Sequence, residues 1–382
     1  MNKKTISISG GGIAGLAAAI ALKNIGIESV IFEASKQMLP VGAGLGLGIN
    51  AMMAFRELGI YDNIVKAGRT LQSFTIFDQT GKQISKTSFN STDSIGNFTI
   101  HRAKLHEVLL SGIDPSSVRT DKRIKDIEIS DNAIKLLFED GSSHISDYLI
   151  AADGINSQIR QKLLPDVSPG YAGYTCWRAV VDCHSLNINE TSETWGANGR
   201  FGIVPLAENS VYWFACVNAK AFDPVMSIYK TEDLYNRFKN YHAPIPEILR
   251  LTEDKDLIHN DISDIKPLNK FSFGRTVLIG DAAHATTPNM GQGACQAIED
   301  AVVLGQCIVD NPDFEAAFKM FEERRLKRTK WVTDTSRKIG RIAQLENPLL
   351  ISLRNALMRS VPSSVGERQL RELANTDFKI SI

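Results

Sequence analysis

The 382-residue sequence predicts an α/β fold in which a parallel-sheet unit is interrupted by an inserted, mostly antiparallel β-sheet domain and followed by C-terminal helices. Three observations predict it. A strand, a glycine turn, a helix and a second strand open the chain between Thr5 and Glu33; a strand-rich, aromatic stretch runs from about Tyr171 to Phe271; and strand-loop-helix sequence resumes at Thr276. Sequence of the first kind brackets sequence of the second, so the first domain is expected to be discontinuous. It takes residues 1–72, 98–171 and 272–345, with 73–97 and 172–271 forming the insert and 346–382 a C-terminal helical segment.

The opening element, Thr5-Ile6-Ser7-Ile8-Ser9-Gly10-Gly11-Gly12-Ile13-Ala14-Gly15, has the form of a dinucleotide grip. Gly10 suits the tight turn out of the strand, Gly12 lets backbone approach a pyrophosphate, and Gly15 lets helix and strand pack closely, with Ala14 in the same first helical turn. The N–H groups and dipole of the helix N-terminus favour an anion. Glu33, closing Ser29-Val30-Ile31-Phe32, can accept hydrogen bonds from a ribose hydroxyl. This pattern alone leaves FAD and NAD both open. The start Met1-Asn2-Lys3-Lys4 with an Ala-rich run behind it also has the outline of a secretory signal peptide, but the glycines interrupt its apolar core and the strand pattern resumes at Ser29.

Further along, Gly42 to Gly48 is glycine-studded and a helix follows near Asn50 to Leu58. Phe74, Ile76 and the Asp78-Gln79-Thr80-Gly81 turn predict a hairpin between Leu71 and Ser88. His101 to Leu110 reads as helix, and Ile124 to Phe138 as antiparallel strands closed by Glu139-Asp140-Gly141. A strand, Tyr148 to Ala152, delivers Asp153-Gly154; another, Thr276 to Ile279, delivers Gly280-Asp281; Phe314 to Lys338 and Leu349 to Met358 read as helices.

Composition narrows the function. Basic and acidic residues balance at 43 each, which argues against a nucleic-acid partner. No apolar run is long enough for integral membrane contact. The five cysteines, Cys176, Cys183, Cys216, Cys295 and Cys307, are scattered, which disfavours a disulfide framework or a zinc site and fits a cytoplasmic location.

Three dispersed motifs say more than one. Asp153-Gly154-Ile155-Asn156-Ser157-Gln158-Ile159-Arg160 places an acid and a glycine at a strand end, with Asn156 or Ser157 able to cap the next helix. Gly280-Asp281-Ala282-Ala283-His284 is followed by Pro288-Asn289-Met290-Gly291-Gln292-Gly293. Over about residues 5 to 335 this ordered trio resembles the class A flavoprotein monooxygenases, the aromatic-hydroxylase type that includes salicylate and FAD-dependent urate hydroxylases and zeaxanthin epoxidase.

The resemblance implies a Rossmann-like FAD-binding domain and an enzyme that takes a hydride from NADH or NADPH, reacts with O2 through a flavin C4a-hydroperoxide, and inserts one oxygen atom into a small organic substrate. It implies non-covalent FAD, with Asp281 on the ribityl chain, Arg102 beside the phosphates, and Asp153 and Arg160 serving FAD and the passing nicotinamide. Pro288, Gly291 and Gly293 would lead a helix whose N-terminus faces the flavin. Arg200 and Tyr212 resemble positions that face substrate in the urate-hydroxylase branch; a sheet-edge arginine and a core tyrosine are the plain alternatives. His284 reads as a structural loop histidine, and Arg324 to Lys330 as a solvated helix face. A non-oxygenating flavoenzyme of the same fold and an FAD-based redox-responsive binding protein remain as rivals, and a monomer or homodimer is expected.

Overall fold

The computed structural model describes residues 4–38, 42–89, 97–376 and 378. Residues 1–3, 39–41, 90–96 of the expected insert, 377, and 379–382 of the C-terminal segment lie outside the described residues.

The central sheet has six strands in the order Ser272–Phe273, Thr276–Leu278, Tyr148–Ala151, Ile6–Ser9, Ser29–Phe32 and Val118–Arg119. Every neighbouring pair is parallel except the first. Parallel strands are covered on both faces, and Ile8, Leu149, Ile150 and Val277 are fully buried accordingly. The helices Ile13–Asn24 and Gly293–Asp310 pack against each other closely; a Cβ added to Gly305 would stand 3.4 Å from the Ala21 Cβ. The C-terminal ends of three strands, at Ser9, Ala151 and Leu278, therefore lie side by side, which is where ligands meet such sheets.

The second sheet has seven strands: Ile258–Asp264, Gly170–Asp182, Ser210–Asn218, Gly199–Pro205, Thr191–Gly196, Ser73–Asp78 and Gln83–Ser88. All neighbours are antiparallel except Thr191–Gly196 with Ser73–Asp78, which brings the early hairpin into this sheet. Alternation gives the sheet two characters. Trp177, Ala179, Phe201, Ile203, Trp213 and Ala215 point to one side, where Phe201 and Trp213 stack with ring centres 5.2 Å apart. That side is sealed by the helices Thr231–Phe238 and Ile245–Leu251, which the strand-rich reading of this region did not anticipate. The other side carries Tyr174, Cys176, Arg178, Arg200, Tyr212, Phe214 and Cys216 and meets the nucleotide unit: Thr99 donates to the Pro205 carbonyl, and a Cβ at Gly44 would strike the Tyr212 Cβ at 2.5 Å.

The helix Phe314–Ala343 spans both units. Its Glu322 accepts from the backbone of Phe271 and Ser272 at 2.6 and 2.8 Å, and Arg337 holds the Asp264 carboxylate at 2.6 and 2.8 Å. Among the described residues no helix is long and apolar enough to cross a membrane.

Candidate active site

The three fingerprint glycines are needed for three different reasons. Gly10 has φ of +96°, and a Cβ there would sit 2.5 Å from the Ala152 carbonyl oxygen. A Cβ at Gly15 would sit 1.9 Å from the Gly10 oxygen, so helix and turn touch there. Gly12 meets nothing within 4 Å, and the helix it starts has no side-chain cap, so its first N–H groups face open space. Ala14 packs toward Gly280, whose Cβ would lie 2.7 Å from it; the first glycine turn is thereby wedged against the loop that carries Asp281.

Glu33 accepts from the Gly11 and Ser35 amides, both at 2.7 Å, one on each oxygen. Its carboxylate thus braces the glycine turn and still presents lone pairs to a cavity of about 220 Å³ lined by Gly11, Gly12, Glu33, Met38, Arg102 and His106 among others. His106, four residues beyond Arg102 on the helix Arg102–Ser111, meets the Gly11 carbonyl at 2.9 Å. Sequence reading passed over it, although the spacing puts both side chains on one helix face. His101 caps this helix through the Ala103 amide.

At the next strand end Ser157 caps the helix Gln158–Leu163, accepting from the Arg160 amide at 2.9 Å. Arg160 itself is fully buried and donates to the carbonyls of Ile155 and Ala282, the latter at 3.1 Å, joining this loop to the one after Leu278. Its Nε and the Asp153 Oδ1 are buried without partners. Burial raises the Asp153 carboxyl above its ordinary range against the Ser157 hydroxyl. Asp281 follows Gly280 (φ +57°) and stays exposed while Ala282 to Ala285 are buried, so its side chain lines a cleft deep in the molecule. That depth raises its carboxyl, opposed by His284, Arg102 and Arg160.

The loop Pro288–Met290 ends in Gly291 (φ +63°), and the helix Gly293–Asp310 begins without a side-chain cap. Gln292 is turned away instead, accepting from Asn50 at 2.9 Å and Gln296 at 3.1 Å. Behind it runs a buried ion network. Arg325 pairs with Glu299 and Asp300 at 2.7 Å each, Arg328 holds Glu299 at 2.6 Å, and Asp300 also receives the Gly280 amide at 2.8 Å and His284 at 2.6 Å. His284 is therefore buried against Asp300, and Arg325 and Arg328, read as part of a solvated face, point inward; this corrects that reading.

On the sheet side, Arg200 lies on the face toward the nucleotide unit with its guanidinium fully engaged: Glu193 at 3.1 Å, Gln344 at 2.8 Å and Asn289 at 2.8 Å. Asn289 also accepts from the Tyr174 hydroxyl at 3.2 Å and donates to the Ser336 carbonyl at 2.9 Å, so one loop asparagine ties sheet, loop and long helix together. Tyr212 shares that face, and burial raises its phenol. Among the described residues no carboxylate pairs with Arg178, which sequence reading missed; its Nε is buried and unsatisfied, and Cys176, Tyr212 and Cys216 are polar neighbours.

Two uncapped helix N-termini, an acid-lined cleft between them and orphaned polar atoms beside it fit a dinucleotide stretched across the strand ends. Residues 3–335 match the FAD binding domain family model. The chain is 38% identical over 97% of its length, and 98% of the relative's, to aurachin C monooxygenase/isomerase of Stigmatella aurantiaca. It is 31% identical over 95% to 2-heptyl-3-hydroxy-4(1H)-quinolone synthase of Pseudomonas aeruginosa, covering 96% of that protein. A Klebsiella pneumoniae protein solved with FAD and uric acid superposes with a TM-score of 0.87 at 27% identity, covering 98% of this chain and 97% of that one. The chain belongs to the FAD-binding monooxygenase family of the aromatic-hydroxylase type. It is an FAD-dependent monooxygenase, and FAD is its cofactor.

Proposed function

We propose that the protein oxidises NADH or NADPH and inserts one oxygen atom of O2 into a flat heteroaromatic ring of the 4-quinolone class. The observation that carries the substrate class is the wall opposite the flavin-side loop: Tyr174, Tyr212, Phe214, Cys176 and Cys216 form a largely apolar, aromatic surface around one uncompensated cation, Arg178. Such a wall suits a bicyclic ring with a single polar edge. The name of one relative, 2-heptyl-3-hydroxy-4(1H)-quinolone synthase, points the same way.

FAD, when bound, would supply the redox chemistry that couples nicotinamide oxidation to activation of O2. The chain's own residues do the rest. Asp281, Glu33, Arg102, Asp153 and the open turns at Gly12 and Gly291 hold the cofactor. Arg178 and Tyr212 meet the polar edge of the ring, and a guanidinium there favours its anionic, electron-rich form. Arg200 acts as a positioning residue, fixing Asn289 and so the flavin-side loop. The sheet closes over the site and keeps it dry.

The test is a panel of 2-alkyl-4(1H)-quinolones, urate and salicylate with purified FAD-loaded protein. A quinolone is expected to accelerate NADH or NADPH oxidation and to gain one oxygen atom by mass, with little hydrogen peroxide. Oxidation appearing wholly as peroxide with every quinolone would overturn the substrate class. A protein that binds FAD yet oxygenates none of the panel would place its substrate outside these three classes.

A further inference from the structure

We propose that Cys176 and Cys216 form a peroxide-reactive dithiol site in the chamber wall, which closes to a cross-strand disulfide. The thiols are direct register partners on adjacent antiparallel strands, with Trp177 opposite Ala215 and Thr175 opposite Val217 on either side. Residues directly opposed in such a ladder have Cα atoms about 4.5–5.5 Å apart, inside the roughly 4.4–6.8 Å span that a disulfide needs. Both side chains leave the same face, both are free thiols, and both are buried, at 3% and 1% exposure. No element has to move far for the bond to form.

Their surroundings favour reaction there over the other cysteines. The next residue across the sheet from Cys216 is Arg200, and the next on the same face along the strand from Cys176 is Arg178. The Cys216 thiol beside it and these two guanidinium groups pull the Cys176 thiol below its ordinary value in spite of burial. Burial pushes Cys183 up to about 11 and Cys295 up to about 12. Arg200, opposite Cys216 in the ladder, donates to Asn289 of the flavin-side loop, so the pair lies near the place where oxygen is reduced in the proposed function.

The chemistry balances with hydrogen peroxide as the oxidant. The Cys176 thiolate attacks one peroxide oxygen, the O–O bond breaks, and the departing hydroxide takes a proton to leave as water. Cys216 then attacks the resulting sulfenic sulfur, giving up its proton as the second water leaves and the S–S bond forms. Two thiols are oxidised and one peroxide is reduced to two waters. The source of peroxide, oxygen reduction that fails to reach substrate, rests on the monooxygenase reading; the thiol site does not.

The test uses FAD-loaded protein treated with hydrogen peroxide, alkylated with iodoacetamide and mapped by mass spectrometry, with no nicotinamide or substrate present. A peptide pair linked through Cys176 and Cys216 is expected, released by a phosphine reductant, while Cys183, Cys295 and Cys307 stay as thiols. In Cys216→Ser, Cys176 is expected to stop at the sulfenic acid and take up dimedone. The proposal is overturned if both thiols remain alkylatable after peroxide, or if they reach sulfinic acids without linking. The mapping of unaltered protein decides this even where the variant fails to fold, and its failure leaves the substrate reading untouched.

Discussion

Two charged clusters flank the flavin-side helix, and their accounts differ. Behind it, Glu299 and Asp300 face Arg325, Arg328 and His284, so that each buried charge has an opposite within hydrogen-bond reach. In front, on the sheet, two arginines face a single carboxylate among the described residues, and Glu193 is taken by Arg200. Compensation marks the first cluster as a fastening. The residual cation of the second, Arg178, has the character of a binding group that awaits an anion or carbonyl.

The strongest way to break this contrast is Arg325→Met, which leaves two buried carboxylates without their shared partner. A loss of about 3–5 kcal/mol in urea unfolding is expected, accompanied by loss of FAD because Asp300 also holds the Gly280 amide. The same cluster sets an acid limit. Burial pushes both carboxyls up, but Arg325 with Arg328 on one and with His284 on the other hold them below their ordinary values. With the folded value lower, the unfolded chain binds protons first; the stabilisation is full above about pH 4–5 and is lost as pH falls below it. Melting temperature should fall through that window in the parent protein and much less steeply in Arg325→Met.

Asp281→Ala should weaken FAD binding by about 1–3 kcal/mol, read by fluorescence titration of the apoprotein. Unchanged affinity would return Asp281 to capping a turn. Arg178→Gln and Arg200→Gln sharpen the comparison within the sheet. The first should keep FAD and raise the quinolone KM about tenfold, or about 1.4 kcal/mol. The second should leave KM closer to the parent value and raise the peroxide fraction, because Asn289 loses a partner. Identical behaviour of the two variants would dissolve the distinction. Ser157→Ala is the smallest change, about 1 kcal/mol of stability from one lost cap.

The cofactor half of the site was legible because backbone geometry fixes it. A residue with φ of +96°, or with 1.9 Å between its absent Cβ and a carbonyl, admits glycine and little else, so Gly10 and Gly15 announce themselves. Ser157 was read as a possible cap for a similar local reason. The substrate wall follows other rules. Whether Arg178 or Arg200 keeps a free guanidinium depends on Glu193, Asn289 and Gln344, which come from different elements, and no local pattern brings those three together. The same holds for Arg325 and Arg328, whose run of basic residues looks solvated until the Gly293–Asp310 helix supplies the carboxylates. In the insert, the helices Thr231–Phe238 and Ile245–Leu251 are short and were masked by the aromatic strands around them.

Arg328 carries one more implication. While one side of its guanidinium neutralises Glu299, the rest donates to the carbonyls of Glu372, Leu373 and Asn375 at the end of the helix Ser363–Ala374. The last described helix thus works as a latch on the flavin-side helix, although it lies far from the cofactor in sequence. A cut or a hinge just before it would be felt first as looser flavin, with both sheets still intact.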